Sequence, residues 1–288
     1  MLGYWYAIGT AVMWSFNPAF ISRYKESLHP IFFTGLRALM AFIPAVLLSY
    51  LVGFKAVFTP LSISLFVFSA LIGPGVGDAA YTRAIQLLGG GKAVVISYTY
   101  IFIAQALSAL FEEVVGPGIL VGALLAFLGL LVSMPQDTGS SRTSLRGLGY
   151  GALASLSWGF GAVLSSFSLH FTDPASLLAI RLFILFIVFL PLGMLSIARG
   201  GDYSISRNAR GLLISAGVTG IIGWFGGTYF FLASLALVGT ASTVLATALT
   251  PIISMMTTRN IARESHSHKL VLGAILTSLG IGIAAFLS

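Results

Sequence analysis

The sequence predicts an all-α integral membrane protein with ten transmembrane helices, arranged as two inverted five-helix repeats. Three observations lead to this fold class: the composition, the length of the apolar runs, and an internal repeat. Hydrophobic residues make up 57% of the chain and charged residues only 8%, whereas a soluble domain carries about 25% charged residues. Apolar runs of about 20 residues can cross the hydrocarbon core as helices, and they do not alternate as the strands of a barrel would.

The two halves of the chain repeat each other. Three residues return 144 positions later: Trp14, Pro30 and Arg37 recur as Trp158, Pro174 and Arg181. Farther along, the spacing widens to 148, which pairs Gly75 with Gly223, Tyr81 with Tyr229 and Gly91 with Gly239. Two apolar sequences share Leu, Gly and Ala by chance, but matches of Trp, Pro and Arg are much harder to obtain. The chain is therefore predicted to contain two copies of one unit.

Glycine, proline and charged residues divide each copy into five apolar segments, which we number 1 to 10 along the chain. Segments 1 to 5 cover residues 3–22, 31–52, 61–88, 92–111 and 115–133. Segments 6 to 10 cover residues 147–169, 174–197, 210–237, 240–258 and 269–287.

Individual segments show how they begin, end and pack. The repeated prolines mark the start of segments 2 and 7. Segment 3 contains Gly73-Pro74-Gly75, yet we predict one helix because segment 8 has the same length. Segment 4 ends at Glu112-Glu113, which we interpret as a solvated helix end. Segments 5 and 10 are rich in Gly and Ala, and the Gly118–Gly122 spacing suits tight helix packing or a dimer face, so the chain is expected to be a monomer or a homodimer.

A polar stretch from Pro135 to Ser144 separates the two copies and is typical of a flexible linker. We predict one five-helix repeat at residues 1–134, a linker at 135–146 and a second repeat at 147–288. Because five is an odd number, the second repeat must enter the membrane from the opposite side. The repeats are then inverted, as in many transporter folds, and both termini lie on the same side.

Several motifs resemble those of a known family. They are Trp14-Ser15-Phe16-Asn17, the Pro30 to Arg37 spacing, Gly77-Asp78-Ala79-Ala80-Tyr81-Thr82-Arg83-Ala84, Glu112-Glu113 and the Gly-rich segment 5. Together they resemble the EamA-type transporters of the drug/metabolite transporter superfamily, over essentially the whole chain. This resemblance implies a membrane transporter with cytoplasmic termini.

The chain departs from that family in the middle of segment 4. Family members often have a proline there, but this sequence reads Tyr98-Thr99-Tyr100-Ile101, whereas segment 9 keeps Pro251. Pro74 and Pro251 are the candidate gating residues, and the two gates are expected to differ in flexibility.

Ionisable residues at membrane depth are few and need a reason, because each costs roughly 2.5–3.5 kcal/mol on insertion scales. Arg37 and Arg181 occupy equivalent positions about seven residues into segments 2 and 7. They are either structural residues that bind backbone carbonyls or an anion-attracting pair. Asp78 follows the glycine-rich break in segment 3. It is either a substrate or proton site, or one half of an ion pair with Arg83 or Arg37.

Aromatic and hydroxyl side chains form the largest set of candidate binding residues. Thr243, Thr247 and Thr250 share one helical face. Such a set fits an amphipathic organic solute, and it also fits ordinary interhelical contacts. The predicted substrate-binding residues are Trp14, Asn17, Asp78, Tyr81, Tyr98, Tyr100, Trp158, Tyr229, Thr247 and Thr250.

Other functional classes have little support in the sequence. No hydrolase, nucleotide-binding or metalloprotease motif is present. His266-Ser267-His268 is too short for a metal motif, because residues two apart do not share a helix face. No cofactor, metal or nucleic acid is expected, and the net charge of +7 suits loops that face anionic lipid. The alternative to a transporter is a membrane-embedded enzyme or a lipid flippase.

The side of the membrane on which the termini lie is predicted differently by two arguments. Eleven of the 15 basic residues follow odd-numbered segments, three lie within segments, and only Lys55 follows an even-numbered one. The positive-inside rule then places the odd loops in the cytoplasm and the termini outside. The family resemblance implies the opposite.

The sequence as a whole predicts a secondary transporter in the cell (plasma or inner) membrane that works by alternating access. We expect an exporter of small organic metabolites such as amino acids or amphipathic compounds. Few fixed charges argue against nucleotides, while rings and hydroxyls favour stacking and hydrogen bonding. Protons are a candidate coupling ion, with Asp78 as their carrier.

Overall fold

The computed structural model describes residues 1–111, 116–133, 144–200 and 204–265, together with residues 269, 272–273, 275–276, 279–280 and 283. Within these ranges the chain is helical apart from turns, loops and an isolated antiparallel bridge between Ala56 and Thr172. Six of the described helices are long and apolar enough to cross a membrane. The chain therefore has the all-helical membrane architecture that its composition predicts, and the count of ten spans stays a prediction.

Helices α1 to α8 form the described part of the first half. They are α1 (Leu2–Trp14), α2 (Phe16–Arg23), α3 (Pro30–Val52), α4 (Pro60–Ala70), α5 (Gly77–Leu88), α6 (Gly90–Ser97), α7 (Tyr100–Leu110) and α8 (Pro117–Ser133). A π-helical turn at Leu71–Val76 joins α4 to α5, so Pro60–Leu88 is one continuous helix. This confirms the single helix predicted for segment 3.

Helices α9 to α13 form the described part of the second half. They are α9 (Leu145–Ser168), α10 (Pro174–Gly200), α11 (Ile205–Val218), α12 (Thr228–Ala246) and α13 (Leu249–Thr257). A π-helical turn at Thr219–Gly227 joins α11 to α12, and a second one at Thr258–Ala262 follows α13. Four features discussed above lie wholly or largely outside the described residues: segment 10, the linker, Glu112-Glu113 and His266-Ser267-His268.

The first segment is interrupted where the sequence predicts one helix. The interruption falls at Ser15, between α1 and α2, and Pro18 lies in the first turn of α2. Proline is tolerated in a first turn because its missing N–H has no intrahelical partner there. In the second half Ala162 stands 144 positions after Pro18, and α9 runs unbroken through it.

Helices also break in the middle of segments 4 and 9, whether or not a proline is present. In both breaks a threonine hydroxyl donates to the carbonyl three residues earlier. Thr99 Oγ1 lies 2.7 Å from Ile96 O, and Thr247 Oγ1 lies 2.6 Å from Val244 O. Pro251 occupies the first turn of α13. A difference in flexibility between the two gates stays a prediction.

Helices α3 and α10 cross in close contact. A Cβ atom on Gly35 would overlap the backbone of Leu190, and one on Gly193 would overlap the backbone of Phe32. At the spacing of 144, Gly193 is the equivalent of Ser49, and Phe32 is the equivalent of Ser176. These two serines are also in contact, because their hydroxyls lie 3.2 Å apart. The two contacts are therefore copies of each other, as the repeat requires.

Equivalent contacts also determine the repeat register beyond this crossing. Trp14 packs against Gly227, and its counterpart Trp158 packs against Gly77. Gly77 and Gly227 are thus equivalent at a spacing of 150, and so are the positive-φ glycines Gly89 and Gly239.

The predicted spacing of 148 is wrong by two residues in this part of the chain. Glycines that recur at every second position around Pro74 allow several alignments, so the glycines alone do not determine the register. The earlier pairings of Tyr81 with Tyr229 and Gly91 with Gly239 are replaced. Before the break in segments 4 and 9, the equivalent pairs include Asp78 with Thr228 and Tyr81 with Phe231.

Loops from different segments meet at two ends of the helix bundle. At one end Glu264, after segment 9, accepts a hydrogen bond from Gly90 N (2.8 Å), and Arg23, after segment 1, donates to Ile261 O (2.7 Å). At the other end Val57 N donates to Phe171 O (2.8 Å), which joins the loops after segments 2 and 6.

Helix α8 packs closely against the described part of segment 10. A Cβ atom on Gly280 would overlap the carbonyl oxygen of Gly122. Gly122 therefore takes part in tight packing within the chain, one of the two uses that its spacing from Gly118 suggests.

Candidate functional site

A cavity of about 80 Å³ lies between the two halves of the chain. It has room for several water molecules, or for a small solute in their place. Each half contributes eight lining residues. They are Trp14, Asn17, Gly73, Pro74, Asp78, Tyr81, Tyr98 and Tyr100 from the first half, and Trp158, Gly161, Ala162, Ser165, Arg181, Trp224, Thr228 and Phe231 from the second.

Irregular backbone surrounds this cavity. The interruption at Ser15, the π-helical turns at Leu71–Val76 and Thr219–Gly227, and the break at Tyr98–Thr99 all lie beside lining residues. Departures from the α-helix at membrane depth are tolerated where the backbone lines a cavity, and in transporters they mark the binding region. The glycine-rich and proline-containing stretches of the sequence therefore form irregular turns beside the cavity.

One wall of the cavity is a cluster of aromatic rings around Trp158. The Tyr81 ring centroid lies 4.9 Å from that of Trp158, and those of Tyr98 and Tyr100 each lie 5.9 Å from it, all edge-on. The Tyr100 hydroxyl is 2.5 Å from Thr247 Oγ1, which fixes the ring from behind. These rings form a rigid apolar surface with hydroxyl groups at its edge.

A buried ion pair lies next to this aromatic wall. Arg37 is 0% exposed, and its Nη1 lies 3.4 Å from Asp78 Oδ1. The Arg37 guanidinium also lies 4.2 Å from the centroid of the Trp224 ring, a cation–π geometry. The indole groups of Trp158 and Trp224 lie beside the same carboxylate. Of the two partners predicted for Asp78, the structure pairs it with Arg37, while Arg83 bonds to Gln86.

The second arginine has a different environment, although it occupies the equivalent position. Arg181 lines the cavity, is 5% exposed, and donates from Nη2 to the backbone carbonyl of Ser69 at 3.1 Å. Its Nε and Nη1 atoms have no hydrogen-bond partner among the described residues. A guanidinium has five N–H donors, and one carbonyl can accept from only part of them.

Most residues singled out from the sequence meet at this cavity. Seven of the ten predicted substrate-binding residues line it: Trp14, Asn17, Asp78, Tyr81, Tyr98, Tyr100 and Trp158. Pro74, a predicted gating residue, and Arg181 also line it, while Arg37 lies behind Asp78. Their roles in binding, gating or anion attraction stay predictions.

The other four predicted residues lie away from the cavity. Tyr229 is half-buried beside Phe230, with 6.1 Å between the ring centroids. Thr247 and Thr250 are buried behind the tyrosine wall, and Pro251 begins α13 next to them. Thr247 therefore acts on the cavity through Tyr100.

Sequence reasoning left several lining residues out of the site. Thr228 and Phe231 occupy the positions equivalent to Asp78 and Tyr81, so a repeat spacing of 150 would have found them. Gly161 likewise lies 144 positions after Asn17. Trp224 likewise lies 150 positions after Pro74, which also lines the cavity, and it contacts Arg37.

Comparison with known proteins gives the family. The sequence model of the EamA-like transporter family matches residues 1–134 and 145–286. The chain belongs to this family. A solved structure, described only as a crystal structure of a protein, superposes on the EamA-like chain with a TM-score of 0.78 and covers 99% of both chains at 16% identity. That likeness shows a shared fold. No protein with a curated description matches.

Membership agrees with the resemblance seen in the sequence motifs. Members of the EamA-like family are transporters, and this chain is a multi-pass membrane protein of the drug/metabolite transporter type. Such a protein binds its small-molecule substrate within the bilayer.

Proposed function

We propose that this chain is a secondary transporter that exports small organic metabolites, such as amino acids or amphipathic compounds, by alternating access. The proposal includes ten transmembrane helices in two inverted repeats, at residues 1–134 and 147–288, joined by a linker at 135–146. We place it in the cell membrane as a monomer or homodimer with both termini on one side. The single observation that carries the function is a cavity to which the two halves contribute equally.

A shared cavity supports alternating access for a mechanical reason. When one repeat rocks against the other, a site between them opens first to one side and then to the other. Trp14 and Trp158 lie on the lining at equivalent positions, and each packs against an equivalent glycine of the partner half. Because the two contacts are copies, the repeats can exchange roles in an inward-facing and an outward-facing state.

Two sets of contacts support the inversion. The loop after segment 1 meets the loop after segment 9, which in turn meets the loop after segment 3. The loop after segment 6, the counterpart of segment 1, meets the loop after segment 2. The copied contacts between α3 and α10 fit a two-fold axis between the halves.

The cavity lining supports an organic solute rather than a polyanion. Aromatic rings and hydroxyls make up its tyrosine wall, and Arg181 is the one lining residue with a fixed positive charge among the described residues. A polyphosphate needs clustered Arg and Lys side chains, so nucleotides fit the lining poorly.

Transport is tested in liposomes that contain the purified chain and a panel of amino acids, organic acids and neutral metabolites. We expect saturable uptake of at least one of these solutes. Replacing Trp158 by Ala should lower it about tenfold or more, because the cavity loses the ring on which three tyrosines pack. Trp5→Ala is the matched control, since Trp5 is 68% exposed on α1 and should change uptake little. Lipid translocation without solute uptake would contradict the proposal and indicate a flippase.

Direction and coupling are tested with the same vesicles. An exporter should move solute faster from the cytoplasmic face when the two orientations are compared. If Asp78 carries the coupling proton, Asp78→Asn should bind solute but no longer respond to an imposed pH gradient. A full response in Asp78→Asn would rule out this role.

A further inference from the structure

We propose that the cavity takes a monoanionic carboxylate with an apolar or aromatic body, and that Arg181 is the residue that binds the carboxylate. The inference rests on the proposed function, because it narrows the substrates of the same cavity to amphipathic carboxylates and away from zwitterionic amino acids. It is carried by the charge balance around the cavity, the repeat register and the unsatisfied guanidinium.

The charged groups at the cavity do not balance. Arg37, Arg181 and Asp78 are each at least nine-tenths buried, and Asp78 is the one carboxylate on the lining among the described residues. Arg37 already pairs with it at 3.4 Å. One positive charge is therefore left over, and a charge held away from water is stable only when it has a partner.

The repeat shows what is missing beside Arg181. In the first half, Arg37 meets the carboxylate of Asp78. In the second half, Arg181 is equivalent to Arg37, and Thr228 is equivalent to Asp78 at the spacing of 150 that the tryptophan contacts establish. Thr228 lines the cavity too, so a neutral hydroxyl stands where the first half has an acid. A carboxylate supplied by the substrate would complete the second pair.

The guanidinium has free capacity for such a ligand. Only Nη2 has a protein partner, the Ser69 carbonyl at 3.1 Å, while Nε and Nη1 have none in the described part of the chain. Arginine holds a carboxylate in two parallel hydrogen bonds along an edge that Nη2 forms with either Nε or Nη1, and Nη2 has two N–H groups, of which the Ser69 carbonyl takes one. Nε and Nη1 are closed to solvent in this conformation, so the ligand enters as the cavity widens.

The remaining walls define the rest of the ligand. Trp158, Tyr81, Tyr98 and Tyr100 form the aromatic wall, which suits an apolar or aromatic body. A single negative charge neutralises the cavity. Among the described residues, the one acid on the lining is already paired with Arg37, so the ammonium of a zwitterion would have no partner. A polyanion would carry more negative charge than Arg181 can neutralise.

The inference is tested by measuring ligand binding to the purified chain in nanodiscs with isothermal titration calorimetry. The probe is 3-phenylpropionate, compared with its neutral amide and with phenylalanine, which adds the ammonium. We expect the acid to bind at least about tenfold more tightly than the amide, which corresponds to ~1.4 kcal/mol. We also expect the acid to bind more tightly than phenylalanine.

Substitutions at the arginine separate its charge from its shape. Arg181→Gln should remove the preference of acid over amide, whereas Arg181→Lys, which keeps the charge, should retain a reduced preference. Arg83→Gln removes an exposed arginine of α5 outside the cavity and should leave the preference unchanged. An acid preference that persists in Arg181→Gln would overturn the assignment of this residue.

A second pair of variants tests the missing carboxylate without removing the arginine. Thr228→Asp would install in the second half the acid that the first half has, so it should pair with Arg181 and abolish binding of 3-phenylpropionate. Thr228→Asn has nearly the same size without the charge and should still bind the acid. Equal binding by these two variants would contradict the proposal.

The outcomes distinguish this inference from the proposed function. Equal binding of acid and amide, or tighter binding of phenylalanine, together with saturable uptake of other solutes in liposomes, overturns the carboxylate class and leaves the transporter intact. Absence of uptake for every solute in the panel overturns the proposed function itself.

Discussion

At the scale of single residues, the pair formed by Arg37 and Asp78 governs the charge balance within the helices. Arg37 is fully buried and lies on the Trp224 ring, and its only acidic partner among the described residues is Asp78. Removing one member of a buried pair leaves an uncompensated charge, which costs about 3–5 kcal/mol. The pair therefore orients α3 against α5 as well as setting the charge at the cavity.

A double-mutant cycle tests this pair. Arg37→Gln and Asp78→Asn should each lower the melting temperature of the purified protein markedly, because each strands its partner. The melting temperature of the double variant should fall by clearly less than the sum of the two single decreases, since neither charge remains. Losses that simply add would show that the two side chains act independently.

Single residues also show where sequence reasoning succeeds and where it stops. Trp14, Trp158, Arg37 and Arg181 can be found from the repeat alone, because their types are rare and their spacing is unambiguous. Thr228 and Phe231 could not, since the glycine-rich turn before them hides a shift of two residues. The different environments of the two arginines are equally invisible in the sequence, because they depend on which residue faces each arginine across the fold.

At the scale of helices, the crossing of α3 and α10 depends on two glycines. Gly35 and Gly193 each contact the backbone of the partner helix so closely that a Cβ atom has no space. A flexible side chain can move aside, but a helix backbone can do so only by separating the helices. Neither position therefore tolerates a larger residue unless α3 and α10 shift apart.

We expect Gly35→Ala to destabilise the protein strongly, by about 1–3 kcal/mol or more as an overpacked core does. Gly149→Ala is the matched control in α9, because a Cβ there meets nothing within 4 Å; alanine's better helix propensity should leave stability unchanged or slightly raised. Thermal melting of both variants checks this. Similar effects of the two changes would mean that the crossing is looser than the structure shows.

Three helical segments are also held together at one end of the bundle by Glu264. Its carboxylate accepts from Gly90 N (2.8 Å) and Gly91 N (2.9 Å) at the start of α6, and from the hydroxyl of Ser22 at the end of α2. These contacts tie segments 1, 4 and 9 together at the end where their loops meet. In a rocking mechanism they would hold this side of the cavity closed.

Weakening the hydrogen bonds of Glu264 should open the cavity toward the end of the bundle where Glu264 lies. Glu264→Gln should raise the rate at which a small thiol reagent modifies a cysteine placed at Asn17 by roughly tenfold, because hydrogen bonds to a charged group contribute about 1.5–3 kcal/mol. Glu26→Gln, an exposed acid at the same end, is the control and should leave the rate unchanged. An unchanged rate in Glu264→Gln would remove it from the closing contacts.

At the scale of the whole molecule, the inverted repeat predicts that equivalent loops of the two halves lie on opposite sides of the membrane. Glu26 and His170 are equivalent at the spacing of 144, and both are exposed. If the repeats are inverted, these two residues face opposite sides. The loop that contains His170 meets the loop that contains Lys55 through the bond from Val57 N to Phe171 O, so Lys55 should share a side with His170.

The absence of cysteine from the sequence makes this directly measurable. Single cysteines at Glu26, Lys55 and His170 are labelled with a membrane-impermeant thiol reagent in sealed, oriented vesicles, and Ala11→Cys, which is fully buried, is the unlabelled control. We expect Glu26→Cys to react from one face, and Lys55→Cys and His170→Cys from the other. Labelling of Glu26→Cys and His170→Cys from the same face would exclude inversion. The face at which Glu26→Cys reacts also decides between the two orientations, since the positive-inside rule places that loop in the cytoplasm and cytoplasmic termini place it outside.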